Sequence, residues 1–157
     1  MGVLGCTALD ISAAVRTGRW SAEEVVAAHL DRIRVEDRKW NAFRVVRHEA
    51  AMAEARALDS DARGRDLPLA GVPIAIKDNV AVAGETTTHG TAAVPSLAPA
   101  SRDHPVVARL RAAGAIVVGI TRVPELCLWA NTDSPQAVTR NPWDPSRTTG
   151  GSSGGSA

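Results

Sequence analysis

Leu9, Ile11, Ala14 and Val15 recur at the spacing of one helix face and stop at Gly18. Residues 7–17 therefore predict a short helix with Thr7 or a neighbour as its cap. Ser21 followed by Glu24 is a capping box. Val25, Val26, Leu30 and Ile33 carry an apolar stripe on from it, which predicts a second helix. His29 lies beside that stripe with no second His or Cys at metal-site spacing, so it reads as a packing or surface histidine. Residues 41–46 alternate and end in β-branched side chains, the pattern of a strand. Residues 48–63 are rich in Ala, Glu and Arg, with Met52, Ala55 and Leu58 on one face, and predict a third helix that Gly64 to Pro68 breaks.

In the second half, Val72, Ile74 and Ile76 share one face of a strand and leave Lys77 on the other. Residues 78–84 predict a further short strand closed by Gly84. The polar run from Thr86 to Thr91 reads as a loop, either facing substrate or turning in solvent, and His89 within it as a solvated residue. Residues 95–99 form another loop. Ser101 or Asp103 caps a helix whose buried stripe is Val106, Val107, Leu110 and Ala113, and Gly114 ends it. Residues 115–120 are apolar without a break, as in a parallel-sheet strand covered on both faces. With the strand at 72–76 they predict a βαβ-like unit with a right-handed crossover. Residues 125–129 begin another packed element. No internal repeat occurs, and the fold class is α/β in one domain.

Composition narrows this picture. The 157 residues suffice for one core, 45% of them are hydrophobic, and Ala and Val dominate that set. Phe43 and four tryptophans are the only aromatics, so packing relies on small side chains. A net charge of +1 leaves no nucleic-acid footprint and no membrane-binding patch. No apolar run reaches membrane-spanning length, and the first residues lack the layout of a signal peptide. Cys6 stands where a myristoylation site has Ser or Thr. Cys6 and Cys127 have no metal spacing, and as two free thiols they point to a reducing cytoplasm. The pattern calls for neither a metal nor a cofactor.

Candidate chemistry concentrates in two stretches. In Gly150-Gly151-Ser152-Ser153-Gly154-Gly155, glycines flank two adjacent hydroxyls. A flexible linker shares this composition. The preceding run Thr139-Arg140-Asn141-Pro142-Trp143-Asp144-Pro145 argues instead for a rigid, packed loop that delivers the serines to a defined place. A phosphate-binding loop does not fit, because no Lys-Ser or Lys-Thr follows the glycines. Lys77 closes the 72–76 strand. A lone lysine there is normally a surface residue, but beside a serine pair, with burial favouring its neutral form, it becomes a general base. Ser-Lys is a known variant of the serine triads.

Gly71-Val-Pro-Ile-Ala-Ile-Lys77-Asp78, Asp103-His-Pro-Val-Val107 and Thr139-Arg-Asn-Pro-Trp-Asp144 leading into Gly150–Gly155 together resemble the amidase signature family, in this order and over nearly the whole chain. The resemblance implies the N-terminal part of that fold, a mixed β-sheet core flanked by helices. Residues 1–66 would be an N-terminal helical part and residues 67–157 the start of the catalytic α/β core. It implies hydrolysis of a carboxylic acid amide to carboxylate and ammonia or amine. Lys77 would be the base, Ser152 a proton shuttle in a cis peptide, and Ser153, Gly150, Gly151 and Leu126 supporting or substrate-binding residues. The family's nucleophilic serine lies in a further Gly-rich segment beyond Ala157, so the chain alone is expected to hydrolyse no amide. Partners would be a small-molecule amide, with a homodimer of the full-length enzyme compatible with the family, and no nucleic acid or membrane. Two other readings stay open. One is the amidase-type subunit of a glutamyl-tRNA(Gln) amidotransferase, which usually has Asp where Pro124 stands. The other is a non-catalytic remnant or binding module. The family usually shows Lys-Thr-Asn-Leu-Pro-Glu where this chain has Ile120-Thr121-Arg122-Val123-Pro124-Glu125.

Overall fold

The capping signals of the first third are all used. In a computed structural model, which describes residues 2–93, 97–134 and 137–157, helix α1 spans Ala8–Arg16 and α2 spans Ala22–Trp40. The Thr7 hydroxyl accepts from the Asp10 amide, and the Asp10 side chain accepts from the Thr7 amide. The Ser21 hydroxyl accepts from the Glu24 amide at 3.0 Å, and Glu24 returns the bond. Strand β1 (Phe43–Val46), helix α3 (His48–Ser60), strand β2 (Pro73–Lys77), helix α4 (Pro105–Ala112) and strand β3 (Ile116–Thr121) follow. Two short strands, β4 (Asp133–Ser134) and β5 (Ala137–Val138), pair antiparallel.

The chain forms two compact units. The first comprises Met1–Arg34, Arg47–Ile74 and Ala108–Val118. Its core joins Val15, Val25, Val26, Leu30, Ala51, Ala55, Val72, Ile116 and Val118. Each fully buried Val or Leu here contributes about 1.5–3 kcal/mol. Asp59 of α3 takes the Ala22 and Glu23 amides at 2.8 and 3.0 Å, a second cap for α2 from far along the chain. Arg47 is buried and donates to the Val117 carbonyl and to Glu54, which also holds Arg111. The predicted faces need two corrections. Leu9 is 76% exposed, because the buried face of α1 centres on Ile11, Ser12, Ala14 and Val15. Ala51 is fully buried where Met52 is only partly so.

The second unit comprises Val35–Val46, Ala75–Val107 and Gly119–Ala157. The main sheet has the order β1-β3-β2. β1 runs antiparallel to β3, with Val45 opposite Ile120 and Val46 opposite Gly119. The Ile116 amide donates to Val72 O and the Asp78 amide to Thr121 O, so β2 and β3 run in the same direction. The sheet is mixed, as expected, and all six residues of β3 are buried.

Four other expectations fail here. Residues 78–84 are not a strand. The amides of Asn79 and Val80 turn back to Lys77 O at 2.8 and 3.0 Å, which ends the ladder, and only Ala83 bridges to Ala100. Neither Ser101 nor Asp103 caps α4. The His104 ring accepts from the Val106 amide, while Asp103 accepts from the Ala83 amide instead. Val106 is accordingly exposed and Val107 alone is fully buried. Residues 125–129 hold only a 3-10 turn, Glu125–Cys127, because Leu126 and Cys127 take positive φ (52° and 58°) and no helix can propagate through them. Leu126, Leu128 and Trp129 are exposed rather than packed. Trp143 is 94% exposed, so its loop is not a packed one. Of the loop expected at 95–99, residues 95 and 96 lie outside the described residues, and 97–99 carry no regular structure.

Candidate active site

β2 is short and ends where Lys77 O becomes the acceptor of a turn, so the Lys77 side chain stands at the very end of the strand, half-buried. Its Nζ donates to Ser152 Oγ at 2.7 Å, across 75 residues of sequence. These are the two residues the sequence paired, and the structure brings them together.

The segment that presents Ser152 is tied down on both sides. The Thr132 hydroxyl, on a buried residue, donates to Gly150 O at 2.8 Å. The Gly155 amide donates to Arg122 O, and the hydroxyls of Ser156 and Thr121 bond each other at 2.7 Å. The Gly151–Ser152 peptide is cis. Gly150 has φ +84°, open chiefly to glycine. Gly155 has no room for a side chain, since an added Cβ would run into the backbone of Ala42 and of Arg122. This is a built loop and not a linker. Ser153 is exposed, and no hydrogen bond among the described residues engages its hydroxyl. Gly151 packs against the backbone of Trp129 and Ala130. Leu126 sits in the exposed turn, where its amide donates to His89 O at 2.7 Å, and its side chain is not core.

A second cluster lies directly after Lys77, and the sequence reading did not single it out. Asp78 is 1% exposed. Its carboxylate lies 2.8 Å from Arg44 Nε and accepts from the amide and the hydroxyl of Thr88. Arg44 also donates to the hydroxyl and carbonyl of Thr86. The His89 amide donates to Asp78 O, and the Thr91 hydroxyl to Glu125 at 2.8 Å. A cavity of about 180 Å³ borders this cluster, with Arg44, Asp78, Thr88, Arg122, Thr132 and Ser134 in its wall. Burial pushes the Arg122 guanidinium below its ordinary value; Asp37 opposes this, Arg44 adds to it and Asp78 opposes it. Asp78 was visible in the Lys77-Asp78-Asn79 run. Its partner Arg44, on another strand, carried no sequence signal. Among the described residues no group of three or more His, Cys, Asp or Glu could hold a metal ion, and no helix is long and apolar enough to cross a membrane.

Residues 24–157 match the family model Amidase. The chain is 50% identical over 143 residues to AmiB2 of Mycobacterium tuberculosis, an amidase by provisional name, covering 89% of this chain and 30% of that protein. It is 46% identical over 153 residues to the indoleacetamide hydrolase of Bradyrhizobium diazoefficiens, covering 95% of this chain and 29% of that one. Among solved structures it is similar to one described as a vestigial protein complex that reveals the origins of an s-triazine catabolic enzyme. There the TM-score is 0.90 at 38% identity, over 96% of this chain and 34% of that one. The chain thus spans about 30% of the length of the curated relatives it matches.

Proposed function

The chain belongs to the amidase family, and from that premise we propose that residues 1–157 supply two of the three catalytic side chains of an enzyme that hydrolyses a carboxylic acid amide. The observation that carries this reading is the 2.7 Å hydrogen bond between Lys77 Nζ and Ser152 Oγ. An amide resists water because its carbonyl is weakly electrophilic and its nitrogen leaves poorly. A nucleophile and a base that later serves as acid divide the task. In this assignment a further serine of the whole enzyme attacks the carbonyl carbon. Its proton passes to Ser152 Oγ as the Ser152 proton passes to Lys77 Nζ, which acts as the base. The same two groups return a proton to the nitrogen as the C–N bond breaks, releasing ammonia or an amine and leaving an acyl-serine. Water, deprotonated by the same relay, frees the carboxylate and restores the serine. Ser153, Gly150 and Gly151 shape the loop in this scheme, and Leu126 lies at its margin. The substrate is a small-molecule amide. The two free thiols, Cys6 and Cys127, fit a reducing cytoplasm.

The test is kinetic, in the whole enzyme that contains this chain. Ammonia release from aromatic and aliphatic amides is measured for the native protein and for Lys77→Ala and Ser152→Ala. Positioned proton transfer is worth about 10²–10⁴-fold, so each variant should lose that much in kcat. Near-native turnover by Lys77→Ala sinks the assignment.

A further inference from the structure

We propose that Arg44, Asp78 and Thr88 form a positioning assembly that sets the end of β2 and thereby aims Lys77 at Ser152; this rests on the amidase reading for its catalytic consequence but not for its geometry. Asp78 follows Lys77 directly, and every polar group it has is engaged. Its amide binds Thr121 O at 3.1 Å, and its carbonyl accepts from His89 at 3.0 Å. One carboxylate oxygen takes the Thr88 amide at 3.0 Å, and the other takes the Thr88 hydroxyl and faces Arg44 Nε at 2.8 Å. A carboxylate only 1% exposed is held in place by such a set, because losing any partner leaves a buried charge short of compensation. Thr121 meanwhile accepts from Asp78 through its carbonyl and binds Ser156 through its hydroxyl. One residue of β3 therefore fixes both the backbone next to Lys77 and the segment that carries Ser152. Arg44 and Thr88 touch neither Lys77 nor Ser152 by any hydrogen bond. Their influence passes through Asp78. The assembly matters for proton transfer more than for holding substrate.

The sequence supplies a clean reporter. Lys39 and Lys77 are the only lysines of residues 1–157. In the whole enzyme, selectively 13C/15N-labelled lysine gives a Lys77 side-chain signal assigned by its loss in Lys77→Arg, with exposed Lys39, assigned by its loss in Lys39→Arg, as the internal control. The variants are Thr88→Val, which keeps the shape and removes the hydroxyl, and Thr88→Ser, which restores it. Thr88→Val should move or broaden the Lys77 side-chain signal while Lys39 stays put, and Thr88→Ser should return it. In the whole enzyme Thr88→Val should lower kcat about tenfold with KM changed less than twofold, the pattern of a lost transition-state contribution, and Thr88→Ser should recover most of it. An unmoved Lys77 signal in folded Thr88→Val overturns the proposal. So does a loss confined to KM, which would make residues 86–91 a substrate-binding loop. If Thr88→Val fails to fold by circular dichroism, Arg44→Lys takes its place. That variant keeps the charge near Asp78, loses the guanidinium's bonds to Thr86, and has the same two readouts and the same overturning results; the signal it adds at position 44 is assigned by its absence from the native chain. If Lys77→Ala proves fully active, the amidase reading falls while the Lys77 signal still decides the positioning claim.

Discussion

At the scale of single residues, the site rests on a lysine whose nitrogen can carry or release a proton, and this separates it from the arginines that dominate the cationic residues of the chain. Lys77→Arg preserves charge and donors but cannot be deprotonated in a protein. Under the proposed mechanism it should lose as much kcat as Lys77→Ala in the same ammonia-release assay, and retention of a tenth of the native rate would contradict the role of base. The glycines make a separate prediction. A methyl at position 155 would meet main-chain atoms of Ala42 and Arg122 that have no soft side chain to yield. Gly155→Ala should therefore cost about 1–3 kcal/mol of stability by overpacking, measured by urea denaturation. The meeting of Lys77 with Ser152 was legible in the sequence because their chemistry is unusual for their neighbours. Arg44 was not, because an arginine in a half-buried strand has no pattern of its own until its partner 34 positions away is known.

At the scale of elements, helices were read closely and turns poorly. Thr7–Asp10 and Ser21–Glu24 are local signals, complete within four residues, and they fixed the starts of α1 and α2. β2 ends at Lys77 as expected, but the strand expected at 78–84 did not form, because the tertiary demand on Asp78 outweighed the apolar run that follows it. The same holds for the 125–129 stretch, where two positive-φ residues override a leucine-rich composition. The loop before the glycines is exposed, yet it has internal order. The Asp144 carboxyl is held below its usual range first by the Ser146 hydroxyl, then by the Ser146 amide and by Arg147. A carboxylate whose folded pKa is depressed contributes order above its unfolded value of about 3.9, and that contribution is lost as pH falls through the lower folded value. An NMR titration of the Asp144 side chain should accordingly place its midpoint below that of a free aspartate. A midpoint at or above the free value would show that the loop does not hold its bonds in solution.

At the scale of the whole molecule, the first unit holds the apolar cluster and the second the candidate site. Leu30 is 1% exposed within the core cluster, so Leu30→Ala should cost about 2–5 kcal/mol, read from the urea midpoint, and a loss under 1 kcal/mol would mean that the cluster is not packed as described. The fully covered β3 was written in the run of apolar residues from 115 to 120, the α/β class in the alternation of strand and helix patterns, and the mixed sheet only in the resemblance to the family. The register between strands was not, since hydrophobic alternation on β2 is compatible with more than one pairing. That register has a consequence for chemistry. Side chains on a strand alternate between faces, so sliding β2 by one position against β3 would turn every one of them over. The proposed relay would then find the hydrocarbon of Ile76 or the carboxylate of Asp78 where it needs an amine, with every residue still present. The bond from Asp78 to Thr121 works as the pin that stops the strand at the notch where, under the proposed mechanism, an amine faces Ser152.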